Sequence, residues 1–204
     1  MSLQNISVSE FTQMIASKEP VPGGGGASAL VGSIGIALGD MVGEYTLGKK
    51  KYADVEADIR ECMDKAQDLR QKLLQCIDDD AELFEPLSRA YGIPKDNPER
   101  DTIMEKCLKD AASVPFRILE LACEAVELEK EFAQKGSKLM VSDAATGVAM
   151  CRACIMGAAV NVKVNTKLMK DRAYADDIDQ KVSKLTDVYL AMADEVFDSI
   201  YLQY

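Results

Sequence analysis

The sequence predicts an all-α protein, a single multihelical domain built from long antiparallel helices. Ala, Leu, Met, Glu and Lys are plentiful, whereas aromatic residues make up only 6% of the 204 residues, and such a composition favours helix. Apolar residues also recur at three- and four-residue spacing along most of the chain, and no segment alternates as a strand does. A hydrophobic content of 48% suffices for one core, so we expect one domain over residues 1–204.

The first predicted element is a short helix near the N-terminus. Ser7 and Glu10 have the spacing of a capping box, which marks a helix start. An apolar face then continues to about Lys18, and Pro20 and Pro22 end the helix because proline cannot continue the backbone hydrogen bonding.

The second predicted helix runs from Ala27 to Leu47 and carries a stripe of small residues at three- or four-residue intervals. The stripe consists of Ser28, Gly32, Gly35, Gly39 and Gly43. Each glycine costs a helix interior about 1 kcal/mol relative to alanine, so the stripe is favourable only where another backbone approaches closely. We interpret it as the face on which a second copy of the chain packs, and we therefore predict an obligate homodimer.

Five further helices follow from the same periodicity. They are predicted from Tyr52 to about Leu87, from Pro98 to about Ala112, from Pro115 to a stop at Gly136, from a cap at Ser142–Asp143 to about Lys170, and from Asp176 to about Leu202. Proline and glycine mark the breaks between them, as they do at helix ends generally.

Composition excludes several classes of function. The chain contains no histidine, so Ser-His-Asp and Cys-His catalysis and imidazole zinc sites are excluded. A net charge of −10 argues against a nucleic-acid partner. We see neither a signal peptide nor an uninterrupted run of the ~18 to 20 apolar residues that cross a membrane, so we expect a cytoplasmic protein with no membrane partner. The six cysteines lie in helical segments and are expected to be buried thiols without disulfides.

Three motif-like patterns lack the context that their function needs. Residues 43–50 match a phosphate-binding loop except at Lys50, but they close a helix instead of leaving a strand. The pattern Gly-x-Gly-x-x-Ala at residues 24–29 follows two prolines, not the strand of a dinucleotide-binding fold. Cys151 and Cys154 have no further pair to complete a zinc site.

Asp80 is the candidate catalytic residue. It falls on the same helical stripe as the apolar residues Ile77 and Phe84, whereas Asp78 and Asp79 point elsewhere. A carboxylate on a buried face is costly unless it is paired or used, and burial raises its pKa towards the range useful for proton transfer. The alternative is that Asp80 accepts hydrogen bonds from another helix.

Three further groups are candidates for binding. Asn161 and Asn165 share one helical face and can offer paired donors and acceptors to a planar heterocycle, or can bond to another helix. The run Lys49 to Lys51 is a compact positive spot for an anion, or simply a solvated helix end. The backbone amides of residues 23–26 can approach a ligand at a helix start, or can form a flexible loop.

Four separated motifs combine into a recognisable pattern. They are Pro20-x-Pro22-Gly23-Gly24-Gly25 leading into Ala29-Leu30-x-Gly32, then Thr46-Leu47-Gly48-Lys49-Lys50-Lys51-Tyr52, then Asp80-Ala81-x-x-x-Phe84, and finally Ser142-Asp143 with Asn161-Val162-x-x-Asn165. In this order, and over nearly the whole chain, they resemble the formiminotetrahydrofolate cyclodeaminase/methenyltetrahydrofolate cyclohydrolase family.

The resemblance implies an all-helical subunit, an intertwined homodimer and a tetrahydrofolate site in a cleft near the dimer interface. It implies an enzyme that either hydrolyses 5,10-methenyltetrahydrofolate to 10-formyltetrahydrofolate or cyclises 5-formiminotetrahydrofolate with loss of ammonia, with no cofactor beyond the folate. Asp80 would be catalytic, and the substrate, including its polyglutamylated form, would contact Gly23, Gly24, Gly25, Lys49, Lys50, Lys51, Asp143, Asn161 and Asn165. Two other classes stay open: a folate-binding module without chemistry and an oligomeric interaction protein.

Overall fold

The computed structural model describes residues 2–204. These residues form six α-helices: α1 (Val8–Ile15), α2 (Gly24–Glu44), α3 (Glu56–Ala90), α4 (Arg100–Lys135), α5 (Val141–Thr166) and α6 (Arg172–Tyr201). Two short 3-10 helices, Leu3–Asn5 and Lys50–Val55, precede α1 and α3, and this part of the chain contains no strand. The predicted all-α class is confirmed.

Helix α2 packs against α3, α4 and α5, while α6 covers α4 and α5. The start of α2 contacts the second half of α3, where Gly25 meets Asp80. The end of α2 contacts the beginning of α3, where Gly43 meets Met63. The two helices therefore run in opposite directions. The contacts between α2 and α5 have the same reversed order, because Gly24 meets Asn161 near the end of α5 and Gly35 meets Cys151 nearer its start.

The glycine stripe of α2 packs inside the chain's own bundle. A Cβ added to Gly32 would lie 2.7 Å from Cys154 Sγ on α5, and one added to Gly39 would lie 2.5 Å from Glu129 Oε1 on α4. The glycines of the stripe are buried, so the close approach they permit is made by neighbouring helices of the same chain. The interpretation of this stripe as the dimer face is therefore wrong.

Helix α4 continues through Pro115, where the sequence analysis predicted that a new helix starts. Proline has no N–H, so residue 115 cannot bond to the carbonyl of Ala111 one turn earlier. That carbonyl instead accepts a hydrogen bond from Asn165 Nδ2 on α5, with an N···O distance of 3.2 Å. The two predicted helices are therefore one, and α5 provides the partner for the carbonyl that the proline leaves unpaired.

The predicted helix ends are partly correct. The capping box of Ser7 and Glu10 is present at the start of α1. Ser142 and Asp143 do not cap α5, whose N-cap is Met140 without a side-chain bond. Helix α6 begins four residues earlier than predicted, because the side chain of Asp171 accepts a hydrogen bond from the backbone N–H of Tyr174.

Helices α2 and α5 are long and apolar enough to cross a membrane by length and composition, with a mean hydropathy of 1.4 each. In α2, 61% of the apolar window is buried in the bundle, and in α5, 50%. A core helix passes the same test, so two such helices are weak evidence for a membrane span. The unburied half of α5 leaves apolar side chains on the surface.

Candidate active site

A pocket lies where the first turn of α2 meets α3, α4 and α5. Its lining residues are Pro20, Val21, Gly23, Gly24, Gly25, Asp80, Phe84, Ala111, Pro115, Asn161, Val164 and Asn165. Six of the predicted site residues therefore converge, from three separate parts of the sequence. The cavity measures about 110 Å³, which is smaller than the roughly 300–1,000 Å³ of most small-molecule sites.

Asp80 is the titratable group of the pocket. Burial raises the pKa of its carboxyl group to about 6, against the smaller opposing effect of a hydrogen bond from Gly26 N–H. In that bond the distance from Gly26 N to Asp80 Oδ2 is 3.0 Å. No other group among residues 2–204 donates to this carboxyl group, so Oδ1 remains available to a ligand. A carboxyl group that titrates near neutral pH can both take and give a proton.

The glycine run at the start of α2 makes room for the site's side chains. A Cβ at Gly25 would lie 2.5 Å from Asp80 Oδ2, and one at Gly24 would lie 2.9 Å from Asn161 Nδ2. Real Cβ atoms do not approach other atoms so closely. The run forms the ordered first turn of α2. Because glycine has no side chain, this turn can approach both Asp80 and Asn161.

The three consecutive aspartates have three different environments. Asp78 accepts hydrogen bonds from Ser2 Oγ at 2.7 Å and from Leu3 N at 2.5 Å, which fix the N-terminal segment on α3. Asp79 forms an ion pair with Arg117 on α4. Asp80 alone faces the pocket, so the prediction that its two neighbours point elsewhere is confirmed.

The two asparagines use their amide nitrogens for the protein itself. Asn165 Nδ2 donates to the carbonyl oxygens of Asn161, at 2.9 Å, and Ala111, at 3.2 Å. Asn161 Nδ2 donates to the carbonyl of Gly157 at 2.8 Å. The alternative of bonding to another helix is therefore present, through Ala111 on α4. The side-chain oxygens accept no hydrogen bond within residues 2–204, and their binding of a heterocycle stays a prediction.

Lys49, Lys50, Lys51 and Asp143 do not reach this pocket in the same chain. The lysines follow the far end of α2, whose 21 residues span about 30 Å at 1.5 Å per residue. Asp143 and Asn161 are likewise separated by about 27 Å along α5. The predicted site residues therefore form two groups at opposite ends of α2 and α5.

The lysine group is exposed and lies beside the start of α5. Lys49 Nζ is 3.5 Å from Ser137 Oγ, and the rings of Tyr45 and Tyr52 lie below Lys49 and Lys51. Among residues 2–204 no carboxylate forms an ion pair with any of the three. Their ammonium groups are therefore accessible to an anion.

Glu129, a fully buried acid on α4, was not predicted from the sequence. Its Oε1 accepts a hydrogen bond from Gly39 N at 3.1 Å, and its Oε2 has no partner in residues 2–204. Burial raises the pKa of this carboxyl group well above its ordinary value. The sequence does contain an indication of this burial, because Glu129 follows Val126 by three residues and so falls on the apolar stripe of α4.

The fold and this pocket define a class: an all-helical protein that offers one titratable carboxyl group and two fixed amides to a ligand. Comparison with known proteins narrows the class. The family model described as formiminotransferase-cyclodeaminase matches residues 7–184. The chain belongs to that family.

Individual relatives agree with this assignment. A methenyltetrahydrofolate cyclohydrolase of Methylorubrum extorquens is 36% identical over 200 residues, which are 96% of each chain. A formimidoyltransferase-cyclodeaminase of Dictyostelium discoideum is 31% identical over 183 residues, and this chain spans only 34% of its length. The crystal structure of a formiminotetrahydrofolate cyclodeaminase from Thermotoga maritima matches 98% of this chain with a TM-score of 0.85 and 27% identity, and 99% of that chain is covered.

Proposed function

We propose that this chain is a folate enzyme acting at the 5,10-methenyl bridge of tetrahydrofolate, and that it hydrolyses 5,10-methenyltetrahydrofolate to 10-formyltetrahydrofolate. The observation that carries the proposal is Asp80, the titratable group of the pocket, with a pKa raised by burial to about 6. The choice of hydrolysis is supported by the M. extorquens cyclohydrolase, which matches over nearly the full length of both chains.

The proposed hydrolysis needs one group that handles protons twice. The methenyl carbon lies between N5 and N10 and carries positive charge, so a carboxylate beside it is favourable. Water adds to this carbon while the Asp80 carboxylate takes a proton from the water. The bond from carbon to N5 then breaks as the new hydroxyl becomes a formyl oxygen, so N5 gains a proton and the hydroxyl loses one. One proton is released overall, and no step is a redox reaction.

Cyclisation of 5-formiminotetrahydrofolate is the second candidate, supported by the T. maritima cyclodeaminase structure. In this reaction N10 attacks the formimino carbon and ammonia leaves. The formimino nitrogen gains two protons before it leaves as ammonia: N10 loses one as it bonds to the carbon, and the protonated form of Asp80 supplies the other. The two reactions therefore use opposite forms of the same group: on the acidic side of pH 7, hydrolysis should increase as pH rises through about 6 and cyclisation should decrease.

The proposed ligand is a tetrahydrofolate derivative, and the chemistry requires no other cofactor. The side-chain oxygens of Asn161 and Asn165 accept hydrogen bonds from the pterin ring, and Gly23, Gly24 and Gly25 let the ring approach the backbone. We also propose a cytoplasmic location, with neither a nucleic-acid nor a membrane partner.

The proposed partner is a second copy of the chain, bound on the outer face of α5. Met156, Val160 and Val164 follow one another at four-residue intervals there and are 47%, 67% and 54% exposed. Ile34 on neighbouring α2 is 42% exposed. Val164 also lines the pocket, so this apolar face reaches the site, as an interface that completes a small cavity must.

A two-fold dimer on this face would also reunite the two groups of predicted site residues. If the α5 helices of two copies pack in opposite directions, the Asp143 end of the partner lies beside the Asn165 end of the first chain. Lys49, Lys50 and Lys51 of the partner subunit are then placed near the pocket that contains Asp80. We propose that these lysines bind the anionic glutamate tail of the folate.

The proposed function is tested directly by following the absorbance of methenyltetrahydrofolate in the presence of the purified protein. Loss of the absorbance from added methenyltetrahydrofolate, faster than in buffer, supports hydrolysis. Its appearance from 5-formiminotetrahydrofolate supports cyclisation. Folate binding without either change would indicate the non-catalytic module, and neither binding nor turnover would leave an interaction protein as the better explanation.

A further inference from the structure

Pro115 is an unusual residue for its position. It is buried in the interior of α4 and lines the pocket, although a proline inside a helix is disfavoured by about 3 kcal/mol. Part of that cost arises because the residue has no N–H for the carbonyl one turn earlier. The carbonyl concerned is that of Ala111.

The free carbonyl of Ala111 fixes the amide of Asn165. An asparagine amide nitrogen carries two hydrogens, and Asn165 uses one for Ala111 O at 3.2 Å and the other for Asn161 O at 2.9 Å. Asn165 is only 6% exposed. If the amide turned over, its own oxygen would face two carbonyl oxygens in a buried place, which is strongly unfavourable.

This arrangement determines what the pocket offers to a ligand. With both N–H groups engaged, Asn165 presents only its Oδ1, a hydrogen-bond acceptor. An ordinary residue at position 115 would donate its own N–H to Ala111 O, and Asn165 would then share that acceptor with a second donor. The Asn165 amide would then lose part of what holds its orientation.

We propose that Pro115 is a positioning residue that keeps Asn165 Oδ1 available as an acceptor, so that the pocket selects the N–H-bearing edge of its heterocycle. The inference rests on the proposed function for the identity of that heterocycle, a reduced pterin. Pro115 acts through Asn165, and its own ring needs no bond to the substrate.

A double-mutant cycle tests this coupling. In methenyltetrahydrofolate hydrolysis, Pro115→Ala and Asn165→Ala should each raise KM roughly 3- to 10-fold, the effect of about one hydrogen bond, with a smaller change in kcat. The double variant should be no worse than Asn165→Ala alone, because Pro115 then has no amide to orient. Losses that multiply in the double variant would overturn the proposal. Pro86→Ala is the matched control, since Pro86 lies inside α3, is exposed and is outside the pocket.

A second readout does not depend on activity. The side-chain N–H signals of Asn165 in a ¹⁵N–¹H spectrum, identified by their absence in Asn165→Ala, should exchange slowly with water in the wild type and in Pro86→Ala. They should exchange faster in Pro115→Ala. Unchanged protection in Pro115→Ala would refute the positioning role. This result is independent of the proposed function, because the exchange measurement needs no turnover of methenyltetrahydrofolate or 5-formiminotetrahydrofolate. Pro115→Val, which restores the N–H and fills the space of the ring, repeats the test if the alanine variant does not fold.

Discussion

Replacing Glu129 with glutamine should change how the stability of the protein depends on pH. Glu129 is fully buried between two glycines: a Cβ at Gly39 would lie 2.5 Å from its Oε1, and one at Gly147 would lie 2.6 Å from the same atom. Burial raises the pKa of this carboxyl group well above its ordinary value of 4.5, and the hydrogen bond from Gly39 N–H opposes this only in part. Cys151, which faces it from α5, stays a neutral thiol because its own pKa is raised by burial and by Glu129.

The direction of the effect follows from proton linkage. The folded protein keeps the proton, whereas the unfolded chain releases it above pH 4.5. The free energy of unfolding therefore has its full value below the pKa that Glu129 has in the unfolded chain. It falls as pH rises from that value towards the pKa of Glu129 in the folded protein. Over the pH interval between the unfolded and the folded pKa, the free energy of unfolding falls by about 1.4 kcal/mol for each pH unit.

Glu129→Gln removes this dependence, since the amide cannot ionise but can still accept from Gly39 N–H through its oxygen. Urea unfolding of wild type and variant at several values between pH 5 and 8, at one protein concentration, measures the difference in unfolding free energy. That difference should shift in favour of the variant as pH rises, by about 1.4 kcal/mol per unit wherever the pH lies between the unfolded and the folded pKa of Glu129. Glu124→Gln, an exposed change on the same helix, should show no such trend. A difference that is constant with pH would show that Glu129 does not hold a proton in the fold.

Three further predictions concern the site. Charge reversal at residues 49–51 should weaken the binding of folate polyglutamate more than that of the monoglutamate, and equal losses in a binding titration would assign the lysines to a solvated helix end. Mixing and re-forming dimers of Asp80→Asn with the charge-reversed variant should restore up to about a quarter of wild-type activity, because half of the dimers are mixed and each has one intact site. The assay uses folate polyglutamate at a concentration too low for the charge-reversed dimer to turn over, and no recovery would contradict a site shared between subunits. Gly25→Ala should abolish turnover, since its Cβ would meet the Asp80 carboxyl group, whereas Gly26→Ala, whose Cβ comes no closer than 3.5 Å to any atom, should retain most of it.

The helical fold and Asp80 were predictable because both depend on local periodicity. Spacing from Ile77 and Phe84 places Asp80 on the buried stripe of α3, and the structure puts it in the pocket. Two asparagines four residues apart similarly must share a helix face. Such features need no knowledge of which helix packs against which.

The errors concern contacts between distant parts of the chain. The glycine stripe shows that something approaches α2, but not whether α4 and α5 of the same chain or a second copy does so. Pro115 indicates a helix break until Asn165, 50 residues later, provides a partner for the free carbonyl of Ala111. The four motifs were also assigned to one site from the sequence, whereas the length of α2 and α5 separates their residues within one chain into two groups.

The central claim is that Asp80 transfers the proton in the reaction at the methenyl bridge. The most direct measurement is kcat for methenyltetrahydrofolate hydrolysis by Asp80→Asn, compared with Asp79→Asn, which removes only the ion pair with Arg117. Loss of a general acid–base group typically costs ~10²- to 10⁴-fold, and we expect a loss of that size for Asp80→Asn with unchanged helicity and substrate affinity. The loss for Asp79→Asn should be much smaller. A near wild-type rate in a folded Asp80→Asn protein would contradict the account and direct the search for the catalytic carboxylate to Asp143.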